Sequence, residues 1–210
     1  MTSPADPSYD VEYPPAPWNM VGQLWLSLFR LREPVDELRP AGLYGAAFVS
    51  YEAGSPLTYS ELLVARPVRP EGGSRAVSIT DIWVDSPASV AGGRGLWAIP
   101  KGLCDFTLES SYRGPVTRTE WSSSIERQPV AHARFTDVSR AALRTPFRGS
   151  TWQPPIDDHV APATAQLRGS GKALPCRGTW EFAPDGPLGW LAGHRPLVSF
   201  RMAGFRMSFA

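Results

Sequence analysis

Lysine is nearly missing from this chain. Lys101 and Lys172 are its two lysines among 210 residues, against 21 lysines and arginines together, so almost all the positive charge is arginine. Cysteine is equally scarce. Cys104 and Cys176 are too few for a disulfide framework or a cysteine zinc site, and two unbridged thiols are expected. The three histidines, His132, His159 and His194, lie far apart, and Asp157-Asp158-His159 reads as a solvated loop, so no metal and no cofactor are expected. A formal net charge of +1, with arginines scattered, gives no electrostatic reason to bind nucleic acid or an anionic membrane. No stretch approaches the roughly 20 apolar residues of a membrane span. Met1 to Pro17 is polar and proline-rich, without a basic start or an apolar run, and reads as an extended arm rather than a signal peptide. The expectation is a cytoplasmic protein with an arm over 1–17 and one domain over 18–210.

Turn-formers are abundant. The 22 prolines and 19 glycines divide the chain into short segments, which favours strands over long helices. Met20–Leu31 alternates, with Leu24, Leu26 and Leu28 on one side and Trp25, Ser27 and Phe29 on the other. Further strands are predicted over 43–52, 58–68, 76–84, 95–100, 105–111, 115–121, 131–137, 174–182 and 197–209. Pro34–Leu38 predicts a short helix, with proline in its first turn and Asp36 and Glu37 early. Ser86–Val90 predicts a single helical turn capped by Ser86, and 147–162 a loop. The fold class is mainly β, with few short helices and antiparallel sheets curled around an interior.

Within this pattern one lysine stands out. Lys101 follows Trp97, Ile99 and Pro100 and precedes Leu103 in a chain that uses arginine almost everywhere else. Arginine stays protonated, whereas a lysine amine becomes a nucleophile once neutral. Its ordinary pKa of about 10.4 must fall by several units for that at neutral pH, through burial or a neighbouring cation. The plainer reading is a lysine whose stem covers apolar surface while its head stays in water. Other motifs fall away. Ser170-Gly171-Lys172 lacks the upstream glycine and the following Ser/Thr of a phosphate loop, and there is no Gly-x-Ser-x-Gly elbow.

Gly93-Arg94-Gly95-Leu96-Trp97-Ala98-Ile99-Pro100-Lys101-Gly102-Leu103 resembles the signature of the acetoacetate decarboxylase family, where Gly-Arg-Glu leads into an apolar residue and then Pro-Lys-Lys-Leu. Upstream, Leu57-Thr58-Tyr59-Ser60-Glu61-Leu62 resembles the family's Tyr-Thr-Glu segment at a fitting separation. The resemblance covers about residues 13–110. It implies a cone-shaped, barrel-like β-fold, usually oligomeric, and a lyase. Lys101 would form a Schiff base with a small keto acid or ketone, most simply an acetoacetate-like β-keto acid, with loss of carbon dioxide. Glu61 takes the place of the family glutamate, and Arg94, Tyr59 and Trp97 are expected to contact substrate.

Three departures stand against a simple transfer. Gly102 replaces the second lysine, Gly95 replaces the signature glutamate, and Gly22-Gln23 occupies the neighbourhood of the substrate-side arginine. A carboxylate substrate wants a cationic partner, so aldol-type condensation and dehydration on another carbonyl compound is the alternative chemistry. A non-catalytic β-module holding an apolar ligand is the alternative of another class, motivated by eight tryptophans and nine phenylalanines.

Overall fold

The alternation of the first strand organises the molecule. In the computed structural model, which describes residues 11–157 and 159–210, β1 (Trp18–Leu31) turns Trp18, Met20, Leu24 and Leu26 to one face and Trp25 and Phe29 to the other. β2 (Gly42–Tyr51), β3 (Tyr59–Val68) and β4 (Ala76–Val84) follow as an antiparallel meander. Helix α1 (Pro87–Trp97) leads to the two-residue strand β5 (Gly102–Leu103), which pairs parallel with β4. Then come β6 (Asp105–Arg113), β7 (Val116–Ile125), β8 (Gln128–Asp137), β9 (Arg144–Gln153), β10 (Ala163–Phe182) and β11 (Val198–Phe209).

The strands form one sheet with a ring-like closure. Its order runs β11-β1-β2-β3-β4-β9-β10, and β10 pairs back onto β11. The 20-residue β10 serves two assemblies: residues 163–176 pair with β9 or β11, and residues 177–182 pair with β8. From there β8, β7 and β6 extend the sheet as a wing. The joint between β4 and β9 is a parallel pairing at Val77 and Thr151. It is reinforced by the Gln153 side chain, which accepts from the Ile79 N–H at 2.7 Å and donates to the Ile79 carbonyl at 3.0 Å.

Two apolar cores lie on the two faces of β1–β3. One fills the ring interior, with Trp18, Val49, Ile82 and Phe205. The other packs the ring against the wing, where Phe48 is stacked between Trp121 at 5.0 Å and Trp180 at 5.1 Å. A buried ion pair sits in the chain as well: Arg201 donates to Asp137 at 3.0 and 3.1 Å and also to Gln23.

Several sequence expectations need correction. Residues 34–38 form no helix: the Val35 N–H donates forward to the Arg39 carbonyl, and Asp36 accepts from the Arg39 N–H. Five residues between Pro34 and Pro40 are too few to nucleate a helix. The predicted strand over 95–100 is instead the last turn of α1 and its cap. Part of the expected 147–162 loop is β9, and β10 begins eleven residues before the predicted 174. Residues 1–10 of the expected arm, and Asp158 of the Asp-Asp-His loop, lie outside the described residues. Cys104 and Cys176 are unbridged, as expected, and burial pushes both thiols up to about 12. Among the described residues no helix is long and apolar enough to cross a membrane, and no cluster of His, Cys, Asp or Glu suits a metal.

Candidate active site

Strand alternation places the acid. On β3, Tyr59, Glu61, Leu63 and Ala65 face the ring interior, while Leu62 and Val64 enter the other core. Tyr51 stands opposite Tyr59 in register and donates from its hydroxyl to Glu61 Oε1 at 3.1 Å.

Helix α1 places the lysine. Ser86 caps it by accepting from the Ser89 N–H at 3.2 Å, and Pro87 occupies its first turn. Ser89 and Gly93 are four residues apart and share one helix face. Ser89 presents its hydroxyl to Lys101, and Gly93 makes room for the lysine stem: a Cβ at position 93 would lie 2.8 Å from Lys101 Cδ. Gly92 is likewise pressed against Trp18, 2.5 Å from where its Cβ would be. The helix ends at Ala98, whose left-handed φ of 53° turns the chain so that the Ala98 and Ile99 N–H groups return to the Arg94 and Gly93 carbonyls. The Lys101 N–H then donates to the Ile99 carbonyl at 2.7 Å, and β5 ties the next two residues to β4. The backbone of Lys101 is held on both sides.

The result is a buried ion pair. Lys101 is 6% exposed and Glu61 is 3% exposed. Nζ donates to Glu61 Oε2 at 2.8 Å, to Ser89 Oγ at 3.0 Å and to Tyr59 Oη at 3.3 Å, matching the three N–H donors of an ammonium. The Tyr59 ring centroid lies 5.0 Å from Nζ. Burial pulls the Lys101 pKa down, but Glu61, aided by Tyr59, pulls harder the other way, so it sits above the ordinary lysine value. A lowered lysine was expected from the sequence; the carboxylate reverses the direction. Burial also raises both tyrosines. Glu61 drives Tyr51 further up, while Lys101 opposes the rise at Tyr59.

The pair lines a cavity of about 390 Å³ inside the ring. Its lining is otherwise almost wholly apolar: Tyr51, Tyr59, Glu61, Lys101 and Thr151 are the polar residues, and no arginine is among them. Trp97, at the end of α1, forms part of the wall and meets Trp18 at 4.9 Å and Phe209 at 4.6 Å.

The predicted residues therefore divide. Lys101, Glu61 and Tyr59 are in direct contact and Trp97 shares their cavity. Arg94 does not line it. One residue beyond Gly93, it is rotated off the helix face that meets Lys101, and its Nη1 donates to the Lys101 backbone carbonyl at 3.5 Å. At the position of the family's second lysine, a Cβ on Gly102 would point at Trp83 Cδ1, 3.1 Å away, and Trp83 packs against the other core. Sequence reasoning missed Ser89 and Tyr51. Ser89 was legible only as part of a helical turn; its four-residue spacing to Gly93 gains meaning once the helix is known to continue.

A ring-closed β-sheet with a lysine–glutamate pair buried in an apolar interior defines the class of the molecule. The sequence profile of the acetoacetate decarboxylase family matches residues 34–161, more than half of the chain, and the protein belongs to that family. No curated protein sequence matches it significantly. Solved structures share its fold at low identity. The enduracididine biosynthesis enzyme MppR complexed with pyruvate is 15% identical with a TM-score of 0.65, over 95% of this chain and 90% of that one. The acetoacetate decarboxylase of Legionella pneumophila subsp. pneumophila str. Philadelphia 1 is 14% identical with a TM-score of 0.60, over 99% and 95%. An acetoacetate decarboxylase-like enzyme from Sphingomonas wittichii RW1 is 16% identical with a TM-score of 0.58, over 92% and 91%.

Proposed function

We propose that this protein is an enzyme in which Lys101 forms a Schiff base with a carbonyl compound and Glu61 receives the proton that frees the amine. The supporting observation is the surroundings of Nζ: it is buried in the wall of a largely apolar cavity, with a carboxylate 2.8 Å away. Transfer of one proton to Glu61 exposes the nitrogen lone pair without moving charge out of the pair. Nitrogen attacks the carbonyl carbon, the carbonyl oxygen departs as water, and the iminium restores a positive charge opposite Glu61. Overall, an ammonium and a carbonyl give an iminium and one water.

The number of donors changes along this path. An ammonium has three N–H groups and the iminium has one. If Glu61 keeps that one, the hydroxyls of Tyr59 and Ser89 are released to protonate and orient the departing oxygen. The iminium then draws electrons from the neighbouring carbon. Where that carbon bears a carboxylate, carbon dioxide leaves and an enamine remains, as for an acetoacetate-like β-keto acid. Where it bears a proton, the enamine can condense with a second carbonyl compound, the aldol-type alternative. The fold relative solved with pyruvate supports a carbonyl ligand in this architecture.

Borohydride reduction tests the reading. Incubation with acetone, acetoacetate or pyruvate followed by reductant should leave a mass adduct on Lys101. The Lys101→Arg variant keeps the charge and should give neither adduct nor turnover; full turnover by it would refute the mechanism. The non-catalytic module is favoured by a different observation, the resting lysine held as an ammonium. Absence of any Lys101 adduct in a folded sample would decide for it.

A further inference from the structure

The shape and polarity of the cavity bear on what the site accepts. We infer that the substrate is a neutral carbonyl compound carrying an apolar chain of about eight to ten carbons, not a short keto acid, and this rests on the Schiff-base reading above.

Size supports the inference first. At roughly 30 Å³ for each small group, the volume share of a molecule in liquid water, 390 Å³ accommodates about a dozen non-hydrogen atoms. Pyruvate or acetoacetate would fill about half of that. Length agrees independently. Glu61 and Ala65 both line the cavity from β3, and four strand residues span about 13 Å. That is the reach of roughly ten carbon–carbon bonds in an extended chain.

Charge supports it next. Lys101 is the cation of the lining, and it is already paired with Glu61. A carboxylate on the substrate would meet Leu63, Ile79, Met202 and Phe205, with the neutral Thr151 hydroxyl as its one polar contact away from the pair, or Glu61 itself. Burial of an unpaired carboxylate is strongly unfavourable, and a second one beside Glu61 more so. Arg94, the cation nearest in sequence, is bonded to the Lys101 carbonyl and lies outside the lining. At the site where the sequence lacks the substrate-side arginine, a Cβ on Gly22 would sit 2.0 Å from the Ser50 carbonyl oxygen, and Gln23 is engaged with Glu52 and Arg201.

Access fits the same ligand. Val77 lines the cavity yet is 38% exposed, whereas Lys101 is buried at the other end. A molecule passing Val77 carbonyl-first brings its reactive carbon to Nζ and leaves its chain along the apolar wall.

The test is a homologous series of borohydride trapping reactions on the full chain, with acetone, 2-hexanone, 2-nonanone, pyruvate and acetoacetate, alongside quenching of tryptophan fluorescence. The expected result is half-labelling of Lys101 by 2-nonanone at a concentration at least ten-fold below acetone or either keto acid. Labelling by pyruvate or acetoacetate as efficient as by 2-nonanone overturns the inference and leaves the Schiff base standing. If no carbonyl labels Lys101 while 2-nonanone quenches at least ten-fold more strongly than 2-hexanone, the apolar-chain selectivity holds and the Schiff-base reading falls. Absence of chain-length dependence in both measurements overturns the inference. The Ala65→Leu variant supplies a second check: it narrows the far end and should move the preferred chain toward 2-hexanone.

Discussion

Glu61→Gln isolates the electrostatics of the site. Glutamine preserves the shape of the side chain and an acceptor for Tyr51, but it removes the negative charge 2.8 Å from Nζ. Both partners are almost fully buried, so Lys101 is left as an uncompensated charge. Loss of one partner of a buried pair costs about 3–5 kcal/mol. For a chain of this size that corresponds to a fall in melting temperature of about 10 °C. The pH dependence carries the sharper signature. In the native protein the folded Lys101 pKa is raised, so its contribution is fully present below the unfolded value of about 10.4 and is lost as pH climbs through the folded value. In the variant, burial, the largest single influence, is opposed only by Tyr59 and lowers the folded value. The deficit is then largest at low pH and shrinks as pH rises toward about 10.4, because the unfolded chain binds the extra proton. Thermal melts of both proteins from pH 6 to pH 10 should therefore converge with rising pH. A variant that melts within about 2 °C of the native protein at pH 7, or a pair of profiles that stay parallel, would refute the assignment of a buried charged pair.

Three other perturbations probe the scaffold. Gly93→Ala pushes a methyl into the Lys101 stem, 2.8 Å from Cδ; trapping at Lys101 should drop at least ten-fold, with a stability loss of about 1–3 kcal/mol by urea denaturation. Arg201→Met strands Asp137 in the interior and should cost about 3–5 kcal/mol by the same measurement, whereas an exposed arginine such as Arg134 should cost less than about 1 kcal/mol. Ser86→Ala removes the cap of α1 and should cost about 1 kcal/mol, detected as faster amide exchange at the start of that helix.

The sequence displayed the strands whose two faces meet different surroundings. β1 is the clear case: its alternation sorted Leu24 and Leu26 from Trp25 and Phe29, and the cavity and the second core divide them in the same way. On β3 it was the resemblance, not the alternation, that drew attention to Tyr59 and Glu61. Helix α1 was hidden because its glycines read as interruptions. Gly92, Gly93 and Gly95 disfavour a helix by propensity, yet each faces a close neighbour: Trp18, the Lys101 stem and the Tyr13 hydroxyl. Tertiary contact overrode propensity there, and Ser89 was overlooked with it. β9 and the first half of β10 were hidden for another reason. Their partners are each other and β11, and the prolines and glycines they contain suggest loops until the close approach is known. Gly169 illustrates it, with a Cβ position only 2.3 Å from the Arg206 carbonyl oxygen. The resemblance identified Lys101 and Glu61 as a pair, but the sense of the lysine's pKa displacement depends on a 2.8 Å distance that no linear pattern contains.

A closed loop of strands has no free end from which to fray, so any opening must start at a joint. Neighbouring strands elsewhere in the ring share long antiparallel ladders, while β4 and β9 meet at Val77 and Thr151 with Gln153 as a side-chain clasp. Parting that clasp separates the wall beside Val77 and leaves the ladders around Lys101 unbroken. The weakest seam of the ring thus lies away from the buried pair: Gln153 braces the β4–β9 joint, while Lys101 and Glu61 are held by α1, β3 and their ladders.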